Sequence, residues 1–152
     1  MKHLKLFISA LLICCFCQAQ TVEADIPLVK EACFNYIDAF YKADTTLAHT
    51  SVHPLLQKRG FSYDKAKASY SKQLEMPFQS LIRLATVWNK DGSKANNQSP
   101  RTVQIFEVTD KTASAKVSAV WGIDYLHLVK ENGRWYVMNV LWQSEPLAVG
   151  RP

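Results

Sequence analysis

Hydrophobic and polar positions change period partway along this chain, from helical spacing to strand alternation. Ile26, Val29, Cys33, Tyr36, Ile37 and Phe40 recur at three- and four-residue intervals, which puts them on one stripe of a helix over about residues 26–43. Asp25 is a capping residue type, and Pro27 falls in the first turn, where proline is tolerated. Asp38 lies off the stripe and is expected to be a solvated carboxylate. Asp44-Thr45-Thr46 opens a short second helix to about Val52, ended by Pro54, because proline disfavours helix in the residue before it. A third helix follows Glu75-Met76-Pro77, with Phe78, Leu81, Ile82, Ala85 and Trp88 along one side.

Between the second and third helices, Leu55–Tyr63 and Ala68–Gln73 predict a hairpin around Asp64-Lys65. Asn89–Pro100 is polar and reads as a loop. Beyond it the pattern is strand: Arg101–Val108, a turn at Thr109–Thr112, a long strand from Ala113 to about Leu128 that bends at Gly122, and Trp135–Gln143. Asn132-Gly133 supplies the positive backbone angles of a tight hairpin turn. With Lys130 opposite Trp135, one face carries Asp124, Leu126, Leu128, Trp135, Val137, Asn139 and Leu141. The other carries Tyr125, His127, Val129, Tyr136, Met138, Val140 and Trp142. Neither face is solvent-like, so both are expected to be covered. Helices followed by antiparallel strands is the order of an α+β domain. The arrangement predicts three helices packed on a curved, mixed but mainly antiparallel sheet, a cone whose open end is a pocket.

Composition adjusts this picture mainly at the ends. Lys2 and Lys5, the apolar run Leu6–Phe16 and the small-residue site Cys17-Gln18-Ala19 have the pattern of a secretory signal over residues 1–19. Residues 20–24 are then a short leading segment, 25–146 the domain and 147–152 a tail. The protein is expected to be exported, periplasmic or secreted. Lipid attachment at Cys14, Cys15 or Cys17 is the rival, disfavoured by bulky Ile13 and Phe16. The apolar run is too short for a transmembrane segment. Without residues 1–19, 16 Lys and Arg face 13 Asp and Glu, a net +3. That is too mild and scattered for a nucleic-acid partner. Cys33 then stands alone, with no internal disulfide and the character of an inert buried thiol. No phosphate loop, cysteine pair or serine nucleophile motif is present, and no cofactor is expected. His49 and His53 have a metal-like spacing, but Pro54 interrupts that helix and His127 falls on the hairpin face opposite Asp124, so no metal is expected. Gly60 and Gly92 read as lone turn residues.

Five segments, in this order and spacing over about residues 25–145, carry a resemblance: Asn35–Asp44, His53-Pro54, Ala113–Val117, Asp124–Leu128 and Gly133–Val137. Together they resemble the nuclear transport factor 2-like superfamily, with its cystatin-like fold. Within it they resemble the branch named for lumazine binding, close to the polyketide-cyclase-like proteins. The resemblance implies a cone-shaped cavity that, across relatives, hosts isomerases, cyclases, dehydratases, plain ligand binders and assembly modules. The fold does not choose among them.

Asp124 is the leading candidate for chemistry: a carboxylate among apolar neighbours, able to serve as general base or acid. Its plainer reading is a strand-end residue paired to a backbone amide or an arginine. His53, near the expected cavity mouth, could exchange protons near neutrality; as a helix-end residue it would simply bond the last carbonyls. Tyr36 and Tyr41 could aim hydroxyls into a cavity, or be core tyrosines. Trp88 could roof the pocket, and Asn139 could bond Asp124 or a ligand. Three readings follow. The first is a binding domain for a small aromatic or apolar ligand. The second is a cofactor-free isomerase, cyclase or dehydratase-like enzyme using Asp124 with His53 or Tyr36. The third is a homodimeric interaction module pairing through the outer sheet face.

Overall fold

Helix α1 (Val22–Tyr41) begins about one turn before the stripe that predicts it. In the computed structural model, which describes residues 22–144, Asp25 lies inside this helix rather than capping it. Its carboxylate is buried and accepts both Lys130 Nζ (2.8 Å to each oxygen) and Trp135 Nε1 (3.2 Å), which pins the helix to the last hairpin. The expected signal segment, the three cysteines within it and the C-terminal tail lie outside the described residues. Helix α2 (Thr45–Ser51) is capped as its sequence predicts, by Asp44 accepting from Thr46 N–H at 2.8 Å.

Strand β1 (Val52–Phe61) follows α2 without a gap, so Pro54 lies in a strand, at the break in its pairing with the last strand. The chain then forms a two-stranded tip, β2 (Tyr63–Asp64) with β3 (Ser69–Tyr70), and returns as β4 (Leu74–Pro77) antiparallel to β1. Helix α3 (Phe78–Val87) starts directly after it. Strands β5 (Arg101–Val108), β6 (Thr112–Ala119), β7 (Gly122–Glu131) and β8 (Arg134–Gln143) complete a six-stranded sheet of order β4-β1-β8-β7-β6-β5. Among the described residues, only the β1–β8 pair is parallel. The single long strand expected over 113–128 is two strands, reversed at Val120-Trp121 so that Ala119 faces Gly122. The result is the expected α+β architecture: three helices on the inner face of a mixed, mainly antiparallel sheet that does not close into a barrel.

The last hairpin turns at Asn132-Gly133 with φ of 50° and 76°, and Lys130 does face Trp135. The register then shifts between His127 and Leu128: Leu128 faces Val137, but His127 faces Asn139, which leaves Met138 as the extra residue. Such a bulge reverses the alternation beyond it. Val140 and Trp142 therefore join Asp124, Leu126 and Leu128 on the inner face, while Asn139 and Leu141 turn out to solvent. This corrects the expectation that Asn139 shares a face with Asp124. The outer face is also less apolar than expected, because Gln57, Arg59, His127 and Asn139 are exposed beside Tyr125 and Leu141. Asp38 is not solvated. It is 6% exposed and clamped by Arg101 Nε (2.5 Å) and Nη2 (2.8 Å), with Lys42 Nζ at 3.0 Å. Cys33 is fully buried, and burial pushes its thiol up to about 12. Among the described residues, no helix is long and apolar enough to cross a membrane.

Candidate functional site

Strand alternation in β1 turns Leu56, Lys58 and Gly60 inward and Gln57 and Arg59 outward. Lys58 is thereby delivered, 6% exposed, to the underside of α1. Its Nζ lies 2.9 Å from Asp124 Oδ2 and 2.5 Å from the Tyr36 hydroxyl. Tyr36, one of the stripe residues of α1, in turn donates to the same Asp124 oxygen at 2.5 Å. The other oxygen, Oδ1, accepts the indole N–H of Trp121 at 2.9 Å. Asp124 has no solvent exposure, so these three donors take over the role of its lost water. Burial and the adjacent Asp124 carboxylate drive the Tyr36 hydroxyl well above its ordinary pKa. It is therefore a fixed donor rather than a source of phenolate.

Beside this cluster, bounded by α1, α3 and the inner face of the sheet, lies a cavity of about 120 Å³. Phe40, Met76, Leu84, Trp88, Trp121 and Trp142 form its apolar wall, and Lys58 is its charged group. The Lys58 ammonium sits 5.4 Å from the Trp142 ring centroid and 5.3 Å from that of Tyr36, within cation–π range. Trp121 meets Trp88 edge-to-face at 5.4 Å and Phe40 at 5.3 Å, so the aromatic rings hold one another in place. Gly60 allows the Trp142 wall. A Cβ at that position would fall 2.1 Å from the Trp142 carbonyl oxygen and 2.4 Å from its Cδ1. Gly60 is thus a strand residue, not the turn residue expected.

The sequence candidates fall in different places. Asp124 and Tyr36 meet in the cluster, but Asp124 stands behind the cavity wall and reaches it only through Lys58 and Trp121. Trp88 lines the cavity. Tyr41 does not: its ring stacks on Trp88, while its hydroxyl donates to the Pro100 carbonyl at 2.5 Å and accepts Val120 N–H at 2.9 Å. Its contribution is to hold the β6–β7 turn, and with it Trp121. His53 lies apart from the cluster, at the start of β1, with Nε2 3.2 Å from Glu131 Oε2 and Nδ1 accepting Leu55 N–H. His49 packs on the Phe78 ring instead, so the two histidines do not converge. Asn139 is on the outer face. Lys58, Trp121 and Trp142 were missed as site residues. For Lys58 the signal was the inward period-2 series starting at Leu56.

A family profile described as "Putative lumazine-binding" matches residues 24–143, nearly the whole described chain. The chain belongs to this family. Solved structures place the lumazine-binding-family domain in the nuclear transport factor 2-like fold. A nuclear transport factor 2-like protein of unknown function from Shewanella baltica OS155 is 19% identical, with a TM-score of 0.63 over 83% of this chain and 98% of that one. Another from Methylobacillus flagellatus KT is 19% identical, with a TM-score of 0.57 over 80% and 93%. A protein called "Putative Scytalone Dehydratase", from Novosphingobium aromaticivorans, is 11% identical, with a TM-score of 0.55 over 82% and 86%. At these identities the likeness establishes fold alone. No curated protein matches the sequence.

Proposed function

We propose that this lumazine-binding-family domain binds a small, largely apolar ligand in the aromatic cavity, with Lys58 as its polar anchor. The observation that carries the reading is a charged ammonium, held by a buried partner, set in a wall otherwise made of aromatic and aliphatic side chains. Small-molecule sites have this composition: apolar walls and a few fixed polar groups. Size narrows the ligand. An apolar cavity of about 150 Å³ takes up benzene; this one, at about 120 Å³ and partly open to solvent, is on the same scale, that of a single ring. A bicyclic lumazine would extend beyond it. Binding at 100 times Kd stabilises by about 2.7 kcal/mol, so a thermal-shift screen of monocyclic aromatics at millimolar concentration tests the proposal. The cavity-filling variant Met76→Trp should abolish the shift. If no compound in the panel stabilises the wild-type protein, the reading is wrong.

Proton transfer by Asp124 is a weaker reading. Tyr36 lies in hydrogen-bond reach of it, but His53 does not join them, and both carboxylate oxygens are already engaged. A substrate proton would have to reach a fully buried carboxylate that already accepts three donors and stands behind the cavity wall. A homodimer through the outer sheet face is a compatible second feature, supported by exposed Leu55 (71%), Leu141 (54%) and Tyr125 (49%). Light scattering at micromolar concentration tests it, and a monomer there refutes it.

A further inference from the structure

Building on the cavity as a ligand site, we infer that the ligand is a neutral hydrogen-bond acceptor on a single aromatic ring, an aryl carbonyl compound in class. Three observations converge on this.

The first is the direction of the hydrogen bonds the wall can offer. An ammonium carries three N–H donors and no acceptor. Two of Lys58's are engaged, by Asp124 and Tyr36, which leaves one. Trp142, also in the wall, has a buried indole N–H with no partner among the described residues. The acceptors nearby, Asp124 and the Tyr36 oxygen, already receive donors and are not among the lining side chains. The lining side chains thus offer donors and no strong acceptor. A ligand hydroxyl or amine hydrogen would enter without a partner, at the cost of its desolvation.

The second is charge. Lys58 and Asp124 form a buried one-to-one ion pair, 2.9 Å apart and 6% and 0% exposed. Their charges already cancel. A carboxylate entering beside them would add a buried negative charge with no cation of its own. A carbonyl accepts the remaining N–H without changing the balance. The third is volume, which is on the scale of a single ring.

The test is a set of three compounds with the same heavy-atom shape: acetophenone, α-methylstyrene and benzoate. Titration calorimetry at neutral pH would measure each Kd on the full chain. Acetophenone should bind best, roughly tenfold or more tighter than α-methylstyrene, the loss expected for one hydrogen bond to a charged donor. Benzoate should be weaker than acetophenone by a similar factor. In the double variant Lys58→Met/Asp124→Asn, the preference for acetophenone over α-methylstyrene should shrink several-fold, since the ammonium donor is gone, the Trp142 indole N–H alone remains in the wall and no charge is stranded. The wild-type comparison decides the matter even if that variant fails to fold. Equal binding of acetophenone and α-methylstyrene to the wild type overturns the acceptor inference and leaves the cavity as a ligand site. Benzoate binding tightest overturns the neutrality argument. Failure of all three to bind removes the cavity reading itself.

Discussion

Lys58→Met isolates the interaction at the centre of this domain. The substitution keeps the length and most of the volume of the side chain and deletes the ammonium. Asp124, with no solvent exposure, would lose one of two donors on Oδ2 and its only ion-pair partner among the described residues, leaving Tyr36 and Trp121. At 2.9 Å, Coulomb's law with an effective dielectric of about 20 gives an attraction of about 6 kcal/mol. Desolvation of both ions opposes it, and breaking a buried pair from one side typically costs about 3–5 kcal/mol. For a domain of this size that corresponds to a fall in Tm on the order of 10–20 °C. Urea denaturation followed by tryptophan fluorescence measures it directly. Asp124→Asn in the same background removes the stranded charge. The double variant should therefore be more stable than Lys58→Met alone, with a coupling of about 2 kcal/mol in the cycle. If Lys58→Met unfolds within about 1 kcal/mol of wild type, the pair is not the buried, mutually dependent unit described above.

Two further outcomes follow from other parts of the structure. Gly60→Ala puts a Cβ 2.1 Å from the Trp142 carbonyl oxygen and 2.4 Å from its Cδ1, so it should destabilise by about 1–3 kcal/mol and displace the Trp142 ring; an unchanged urea midpoint and unchanged tryptophan emission would contradict the packing. Acid should unfold the protein through Asp25 and Asp38. Burial raises the pKa of each, but hydrogen bonds and charge from Lys130 and Trp135 in one case, and from Arg101 and Lys42 in the other, outweigh it and leave both below the ordinary carboxylate value. A lowered folded value means that this stability is present above the unfolded pKa of about 3.9 and is lost as pH falls through the folded values. The urea midpoint should thus show no pH dependence from these groups between about pH 5 and 7, where their stabilisation is fully present, and fall below about pH 4, less steeply in Asp38→Asn; an equal slope in that variant would count against the Arg101 clamp.

The architecture was legible because it rests on periodicity. The α1 stripe, the Asp44 cap, Arg101–Val108 and the Asn132-Gly133 turn all express local chemistry that a short window contains. The site was legible only in part, because it depends on two features with little or no local marker. The first is the bulge at Met138, which leaves no glycine or proline behind and yet exchanges Asn139 for Val140 and Trp142 on the inner face. The second is the turn at Val120-Trp121, whose one marker, Gly122 (φ 131°), lacks the Asn-Gly form and so read as a bend in a continuous strand. Trp121 reaches Asp124 only because of that reversal. Lys58 was hidden differently. Gln-Lys-Arg reads as a solvated stretch, and lysine is rarely buried unless paired. Its partners are 22 and 66 residues away along the chain. Asp38 failed for the same reason, since Arg101 is 63 residues away.

The location of the ion pair separates its structural from its chemical role. A buried pair adds little net stability, and well-packed apolar residues of similar volume often do as well or better. Anchoring α1 to the sheet does not need it here, since the Asp25–Lys130–Trp135 group already joins the first turns of that helix to the last hairpin. What distinguishes the Lys58–Asp124 pair is its position against a cavity wall with one ammonium N–H still unengaged. Replacing the pair with apolar residues, as in Lys58→Leu/Asp124→Leu, would leave Tyr36 and Trp121 with unmatched polar hydrogens. Adding Tyr36→Phe removes one of these. That triple variant should stay folded, by circular dichroism and a cooperative urea transition, while losing its preference for acetophenone over α-methylstyrene. If the preference survives, the wall's acceptor selectivity comes from somewhere other than Lys58. If the fold collapses while Lys58→Met/Asp124→Asn stays intact, the cluster is first of all a structural element, and the chemistry assigned to the cavity is secondary to it.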